Sequence, residues 1–175
     1  LRIIAGTLKG RRLVAPKGAD VRPTSDSLRE TLFNVLGPTL DAANVLDGFA
    51  GTGGLGLEAL SRGASRVTFV ERDRRAIDAL ERNIRALDVE DACAIIRDDF
   101  VSGRWASGTF DLVLLDPPYD IRDLDAVTTA GARVVGPGGR LVLEHSKRRA
   151  SPESAGALRR TRVLTAGDSA LSFYT

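Results

Sequence analysis

Asp116-Pro117-Pro118-Tyr119 closes Phe110–Leu115, the most apolar run of the chain. Two consecutive prolines stiffen the backbone and limit where the Asp116 carboxylate and the Pro117 carbonyl can point. Both are acceptors aimed at one spot, and Tyr119 adds a ring face beside them. That combination suits a flat heterocycle bearing an exocyclic amine. Such an amine is a poor nucleophile, because its lone pair is delocalised into the ring. Acceptors on its hydrogens draw the nitrogen toward a tetrahedral geometry and stabilise the positive charge that builds there. The expected chemistry is in-line group transfer to nitrogen, with most of the benefit coming from alignment. Asp116 acts first as an orienting and electrostatic group, and it can also take the departing proton. The bland alternative is a rigid strand-to-loop turn.

A second block lies upstream: Val45-Leu46-Asp47-Gly48-Phe49-Ala50-Gly51-Thr52-Gly53-Gly54-Leu55-Gly56. Gly51, Gly53 and Gly56 satisfy G-x-G-x-x-G after a strand and before a helix, where glycines allow a tight turn and close approach of a ligand. Glu71, with Arg72 next to it, stands 20 residues after Gly51, where an acid grips ribose hydroxyls. The glycine spacing alone fits a nicotinamide enzyme equally well. Asp47 shifts the balance, because its charge opposes a pyrophosphate and favours a cation. S-adenosylmethionine is such a ligand, with an α-ammonium that needs an acceptor and a sulfonium that gains from a negative field. The expected cofactor contacts are Asp47, Phe49, Gly51, Thr52, Gly53, Gly56, Glu71, Arg72 and Asp116. Further on, an acid of Asp98-Asp99 accepts the adenine amine and Phe100 lies beside the ring; strand-end spacing favours Asp99, with Asp98 left open.

These residues need a sheet to carry them. From residue 43 onward strand and helix alternate. Val67–Val70 reaches Glu71, and Ile77, Leu80, Ile84 and Leu87 recur at helical spacing. Ala94–Ile96 is a short strand, Phe110–Leu115 a strand buried on both faces, Asp123–Val135 a helix, and Arg140–Glu144 a strand. Arg162–Thr165 and Ala170–Tyr174 form a closing hairpin. The pattern predicts an α/β, doubly wound sheet with right-handed crossovers and ligands at its carboxyl edge. Before it, Arg2–Ala5 and Arg11–Ala15 read as a β-hairpin, Pro16–Pro23 as a loop, and Ser25–Leu36 as a helix capped from Thr24–Asp26 and ended by Gly37-Pro38. The division is residues 1–40, a basic extension, and 41–175, the catalytic domain.

The chain has 175 residues, 43% hydrophobic and 27% charged, enough to bury nearly ~70% of its unfolded surface. No apolar run approaches the roughly 18 residues needed to span a bilayer, and no leader pattern is read. A single cysteine, Cys93, excludes an internal disulfide and points to a reducing cytoplasm. One histidine, His145, and no ligand cluster argue against a structural metal. Cys93 and Trp105 read as packing residues, and His145 as structural or exposed. The net charge of +2 is segregated: residues 1–30 carry +4, 31–139 carry −6, 140–162 carry +5, and the rest −1. Basic ends around an acidic middle suggest one face for a polyanion.

Together these motifs resemble class I S-adenosylmethionine-dependent amino-methyltransferases. More narrowly, the chain resembles the bacterial RsmD family of 16S rRNA guanine-N2 methyltransferases. The narrower likeness rests on Arg2-Ile3-Ile4-Ala5-Gly6, Lys9-Gly10-Arg11-Arg12-Leu13, Arg22-Pro23-Thr24-Ser25-Asp26-Ser27-Leu28-Arg29-Glu30-Thr31-Leu32-Phe33-Asn34, and Leu55–Ala64. The turn Ala166-Gly167-Asp168 departs from the family's usual Tyr-Gly-Asp. The resemblance implies a Rossmann-like seven-stranded sheet with an N-terminal β-hairpin. It implies methylation of one guanosine of small-subunit RNA, within a 30S particle or its assembly intermediates, by a cytoplasmic monomer without a metal. Asp116, Pro117 and Tyr119 are then catalytic. Phosphate contacts hold a base splayed out of folded RNA, and Lys9, Arg11, Arg12, Arg22 and Arg29 are the candidates. Arg29 could instead pair with an acid of its own helix. The rivals are a DNA amino-methyltransferase, a nicotinamide oxidoreductase and a non-enzymatic RNA-binding protein.

Overall fold

Residues 1–16 and 26–175 are described by a computed structural model. The elements are α1 (Asp26–Leu36), β1 (Asn44–Asp47), α2 (Gly54–Ser61), β2 (Arg66–Glu71), α3 (Arg74–Leu87), β3 (Cys93–Arg97) and β4 (Phe110–Leu115). They continue with α4 (Leu124–Ala132), β5 (Val135–Ser146), β6 (Ser154–Ala155), β7 (Leu158–Ala166) and β8 (Ser169–Tyr174). The strands form one sheet in the order β3-β2-β1-β4-β5-β8-β7-β6. The first five are parallel, and β8 runs antiparallel between β5 and β7. The sheet therefore has eight strands rather than seven, because the two residues of β6 add an edge beside β7.

Burial on both faces explains the apolar runs. In β4, Leu112 and Leu114 join the cluster under α1, α2 and α3, while Val113 and Leu115 join the one that includes α4 residues Leu124 and Val127. Helix α3 presents Ile77, Leu80, Ile84 and Leu87 to the core, as its spacing predicts, and starts where the Asp73 side chain accepts the Ala76 N–H at 2.9 Å. Trp105 is buried, stacks on Phe100 and donates to the Phe100 carbonyl. Cys93 is half-buried, and burial, followed by the nearby Glu90 charge, pushes its thiol up to about 12. His145 is buried with both ring nitrogens engaged, by the Ser146 carbonyl and the Ser172 hydroxyl. No helix among the described residues is long and apolar enough to cross a membrane.

The N-terminal segment differs from expectation. It forms no hairpin strands, only an isolated antiparallel bridge between Arg2 and Arg12. The reason is competition for its amides. Glu58, fully buried on α2, accepts the N–H groups of Ile4 and Ala5 at 2.8 and 3.1 Å. Ser61 takes those of Thr7 and Leu8, and Asn83 on α3 takes that of Val14. The amides of Ile4, Ala5 and Val14 are thus spent on helices, while those of Ile3, Gly10 and Leu13 still pair within the segment, with the carbonyls of Arg11, Ile3 and Leu1. Ile3, Leu13, Leu28, Leu32 and Phe33 accordingly share one apolar cluster with the sheet. The expected loop at Pro16–Pro23, the Thr24 and Ser25 caps, and Arg22 fall on or include residues 17–25, outside the described residues.

Candidate active site

Strand order reverses between β1 and β4, and ligands bind at such a switch point outside the carboxyl ends of strands. Asp47 ends β1, and Asp116 follows the end of β4, next to it in the sheet. The turn after β1 is tied down from both sides: Gly48 N–H donates to the Leu114 carbonyl and Ala50 N–H to the Val70 carbonyl. A side chain at Gly48 is excluded, since its Cβ would stand 2.6 Å from Leu115 and Phe100. Over this edge opens a cavity of about 980 Å³, at the upper end of the range for small-molecule sites.

Asp47, Phe49, Gly51, Thr52, Glu71, Arg72, Asp99, Phe100, Asp116, Pro117 and Tyr119 all border this cavity. Gly53 and Gly56, expected beside the cofactor, do not, and their roles are in the backbone. Gly53 begins α2 with φ +89°, and Gly56 lets the helix lie on the sheet, where a Cβ would come within 2.3 Å of Phe69. Tyr119 is half-exposed and shares a 2.7 Å hydrogen bond with the Ser169 hydroxyl.

Among the described residues, the lining carries eight acids (Asp47, Glu71, Asp98, Asp99, Asp116, Asp123, Glu144, Asp168) against three arginines (Arg29, Arg72, Arg122). That field favours a cation and opposes a pyrophosphate. Asp47 is 1% exposed. Its Oδ2 accepts the Gly56 N–H at 2.9 Å, while Oδ1 has no partner among the described residues. Burial, with the charges of Asp116 and Glu71 adding to it, lifts this carboxyl from 3.8 to about 7, against the pull of the Gly56 and Phe49 amides. Glu71 bridges the turn to α3: one oxygen accepts the Gly51 N–H, the other those of Arg72 and Asp73, all at 2.8 Å. Asp99 is committed too. It accepts the Val101 and Ser102 amides and pairs with Arg72 at 2.9 Å, contacts that hold its carboxyl below the ordinary value, the Ser102 amide foremost.

Two of the expected phosphate contacts are placed differently from the rest. Arg29 is 1% exposed and donates to Asp26 on its own helix and to the Arg2 carbonyl, so it is no surface contact for a polyanion. Lys9, Arg11 and Arg12 are exposed, but Arg11 donates to the Ala86 carbonyl in the last turn of α3. The tip of their loop packs on Ser61, the far end of α2. At 1.5 Å per residue that end lies about 10 Å along the helix from Gly54 at the cavity.

The sequence reading passed over several cavity residues. Glu144, buried near the end of β5, lies at the same carboxyl edge, a position that the edge rule could have marked. Asp168 and Ser169 arrive on the β7–β8 turn, and nothing in their local pattern announces it. Arg149 donates to the carbonyls of Ile121 and Arg122, holding the loop that follows Asp116-Pro117-Pro118-Tyr119.

The family described as "Conserved hypothetical protein 95" matches residues 1–175. The Bacillus subtilis protein named "Putative rRNA methyltransferase YlbH" is 37% identical over 180 residues, covering 99% of this chain and 98% of its own length. "Ribosomal RNA small subunit methyltransferase D" of Haemophilus influenzae is 42% identical over 123 residues, 68% of this chain and 64% of its own. A solved Escherichia coli structure, "Putative methyltransferase yhhF", superposes with a TM-score of 0.85 at 33% identity, over 99% of this chain and 96% of that one. With the acid-lined switch point and the Asp-Pro-Pro-Tyr corner, these matches make the chain a member of the RsmD/YlbH family of S-adenosylmethionine-dependent rRNA methyltransferases.

Proposed function

We propose that this protein transfers a methyl group from S-adenosylmethionine to the exocyclic N2 of a guanosine in 16S rRNA. One observation carries the reading: a buried, half-satisfied Asp47 stands one strand away from Asp116-Pro117-Pro118-Tyr119. The cofactor fits the donor set, because an unpartnered buried carboxylate oxygen in an acid-rich cavity calls for a cation. When bound, S-adenosylmethionine supplies an electrophilic methyl group on a sulfonium. Asp47 holds the ammonium end. Glu71 receives a ribose hydroxyl on the one Oε2 lone pair that its three backbone contacts leave over. Asp99 already serves two amides and Arg72, which favours Asp98 for the adenine amine, beside Phe49 and Phe100.

Asp116 and the Pro117 carbonyl accept from the guanine amine, stabilise the charge that develops on it, and Asp116 takes or relays its proton. Tyr119, steadied by Ser169, packs beside the base. The name of the Haemophilus influenzae relative supports small-subunit RNA as the substrate. A base in folded RNA must be splayed out or unpaired to reach the corner, which favours a 30S particle or an assembly intermediate in the cytoplasm. Lys9, Arg11 and Arg12 then contact phosphates distant from the target base, and Arg22 is a further candidate for a phosphate contact.

Incubation with labelled S-adenosylmethionine and naked 16S rRNA, 30S particles or duplex DNA tests this, with modified nucleosides mapped by mass spectrometry. The expected product is N2-methylguanosine at one site of the rRNA. Label confined to DNA, or another methylated nucleoside, would refute the assignment.

A further inference from the structure

The cavity borders two opposite charges that the fold buries without completing their hydrogen bonds. One is Asp47, whose Oδ1 lacks a partner among the described residues; the other is Arg29. Arg29 Nη2 donates to the Arg2 carbonyl at 2.7 Å and to Asp26 at 2.8 Å, yet Nε and Nη1 donate to nothing among the described residues. A guanidinium offers five N–H donors, and leaving one edge dry is expensive unless something else completes it. Both charges stand at the first turn of α2. A Cβ built on Gly54 would lie 3.8 Å from Arg29 Nη1, and two residues on, Gly56 N–H donates to Asp47. Leu1 Cδ2 comes within 3.1 Å of that same Cβ position, so access to the guanidinium edge runs past a side chain that is 39% exposed.

A buried anion and a buried cation, each with an unsatisfied edge on one cavity, match a zwitterion. We propose that the Nε–Nη1 edge of Arg29 receives the α-carboxylate of the methionyl part of S-adenosylmethionine, opposite the ammonium on Asp47. This rests on the cofactor reading above and adds a residue to it. It also gives the buried arginine a task that phosphate binding could not. The planar fork of the guanidinium suits a carboxylate better than a lysine would. The contacts to Asp26 and the Arg2 carbonyl hold the fork in place, so little ordering remains to be done on binding.

Titration calorimetry on the full chain with two thioether probes tests the assignment: S-adenosylhomocysteine, and the same compound lacking only its carboxylate. The parent chain is expected to bind the first about 10- to 100-fold more tightly, the range for hydrogen bonds to a charged group. Arg29→Lys should narrow that ratio, and Arg29→Met should erase it. A purely structural arginine would weaken both probes equally and leave the ratio alone. Parent-chain affinities within twofold of each other overturn the proposal without any variant. So does an unchanged ratio in Arg29→Lys or Arg29→Met, with folding checked by thermal melting. If neither probe binds the parent chain, the cofactor reading itself fails, and the proposal with it.

Discussion

At pH 8 the Asp47→Asn variant is expected to melt above the parent chain, while at pH 5 the two should nearly coincide. Asp47 is 1% exposed, and its carboxyl titrates at about 7 in the fold against 3.8 ordinarily, with desolvation as the main cause. The folded state therefore keeps a proton that the unfolded chain releases above about pH 4, so stability falls as pH rises from there to about 7. The full displacement is about 3 pH units, about 4 kcal/mol at 1.4 kcal/mol each. At pH 5 only about 1–2 kcal/mol of it has accrued. Asparagine carries no charge and can still accept from Gly56, but its amide nitrogen then lacks a partner, which costs about 1–3 kcal/mol. The net gain is about 1–3 kcal/mol at pH 8, or roughly 2–10 °C in a chain of this size, and close to nothing at pH 5. The change in the variant-minus-parent difference between the two pH values, about 3 kcal/mol, does not depend on the asparagine's own cost. His145, whose pKa burial lowers, titrates in both proteins and cancels from that difference. Urea and thermal melts at both pH values measure it. An equal gain at pH 5 and pH 8 would show that the buried charge is not its source. Under the cofactor reading, the stabilised variant should also bind S-adenosylhomocysteine at least about tenfold more weakly.

Binding to the parent chain should itself depend on pH. Because Asp47 must be ionised to hold an ammonium, affinity for S-adenosylhomocysteine should rise up to about tenfold per pH unit below 7 and level off above, with proton release visible as a buffer-dependent heat. Asp116→Ala should abolish methyl transfer while leaving cofactor affinity within about tenfold; retained transfer in the labelled assay would count against its orienting role. Gly56→Ala forces a Cβ to 2.3 Å from Phe69 and should cost about 1–3 kcal/mol of stability, read as a lowered urea midpoint with an unchanged slope. Charge reversal at Arg11 and Arg12 should weaken RNA binding and flatten its salt dependence, and an unchanged slope in filter binding would remove both from the interface.

Much of the catalytic edge was legible because its determinants are local. The spacing of Ile77, Leu80, Ile84 and Leu87 names the buried face of α3, and the apolar run of Phe110–Leu115 names a strand covered on both sides. A chain that alternates strand and helix must bring its strand ends to one edge, so the sequence alone groups Asp47, Glu71 and Asp116. What tertiary structure alone decided depends on partners distant in the chain. The first expected strand lost the amides of Ile4 and Ala5 to Glu58, more than fifty residues away, so the pairing shortened to a single bridge. Arg29 reads as one more basic residue in a basic segment until packing buries it beside the first turn of α2. Asp168 and Ser169 reach the cavity because β8 inserts antiparallel between β5 and β7. Periodicity reports which face of an element is apolar. Which element meets which, and which polar groups are left without water, is settled only when the layers close.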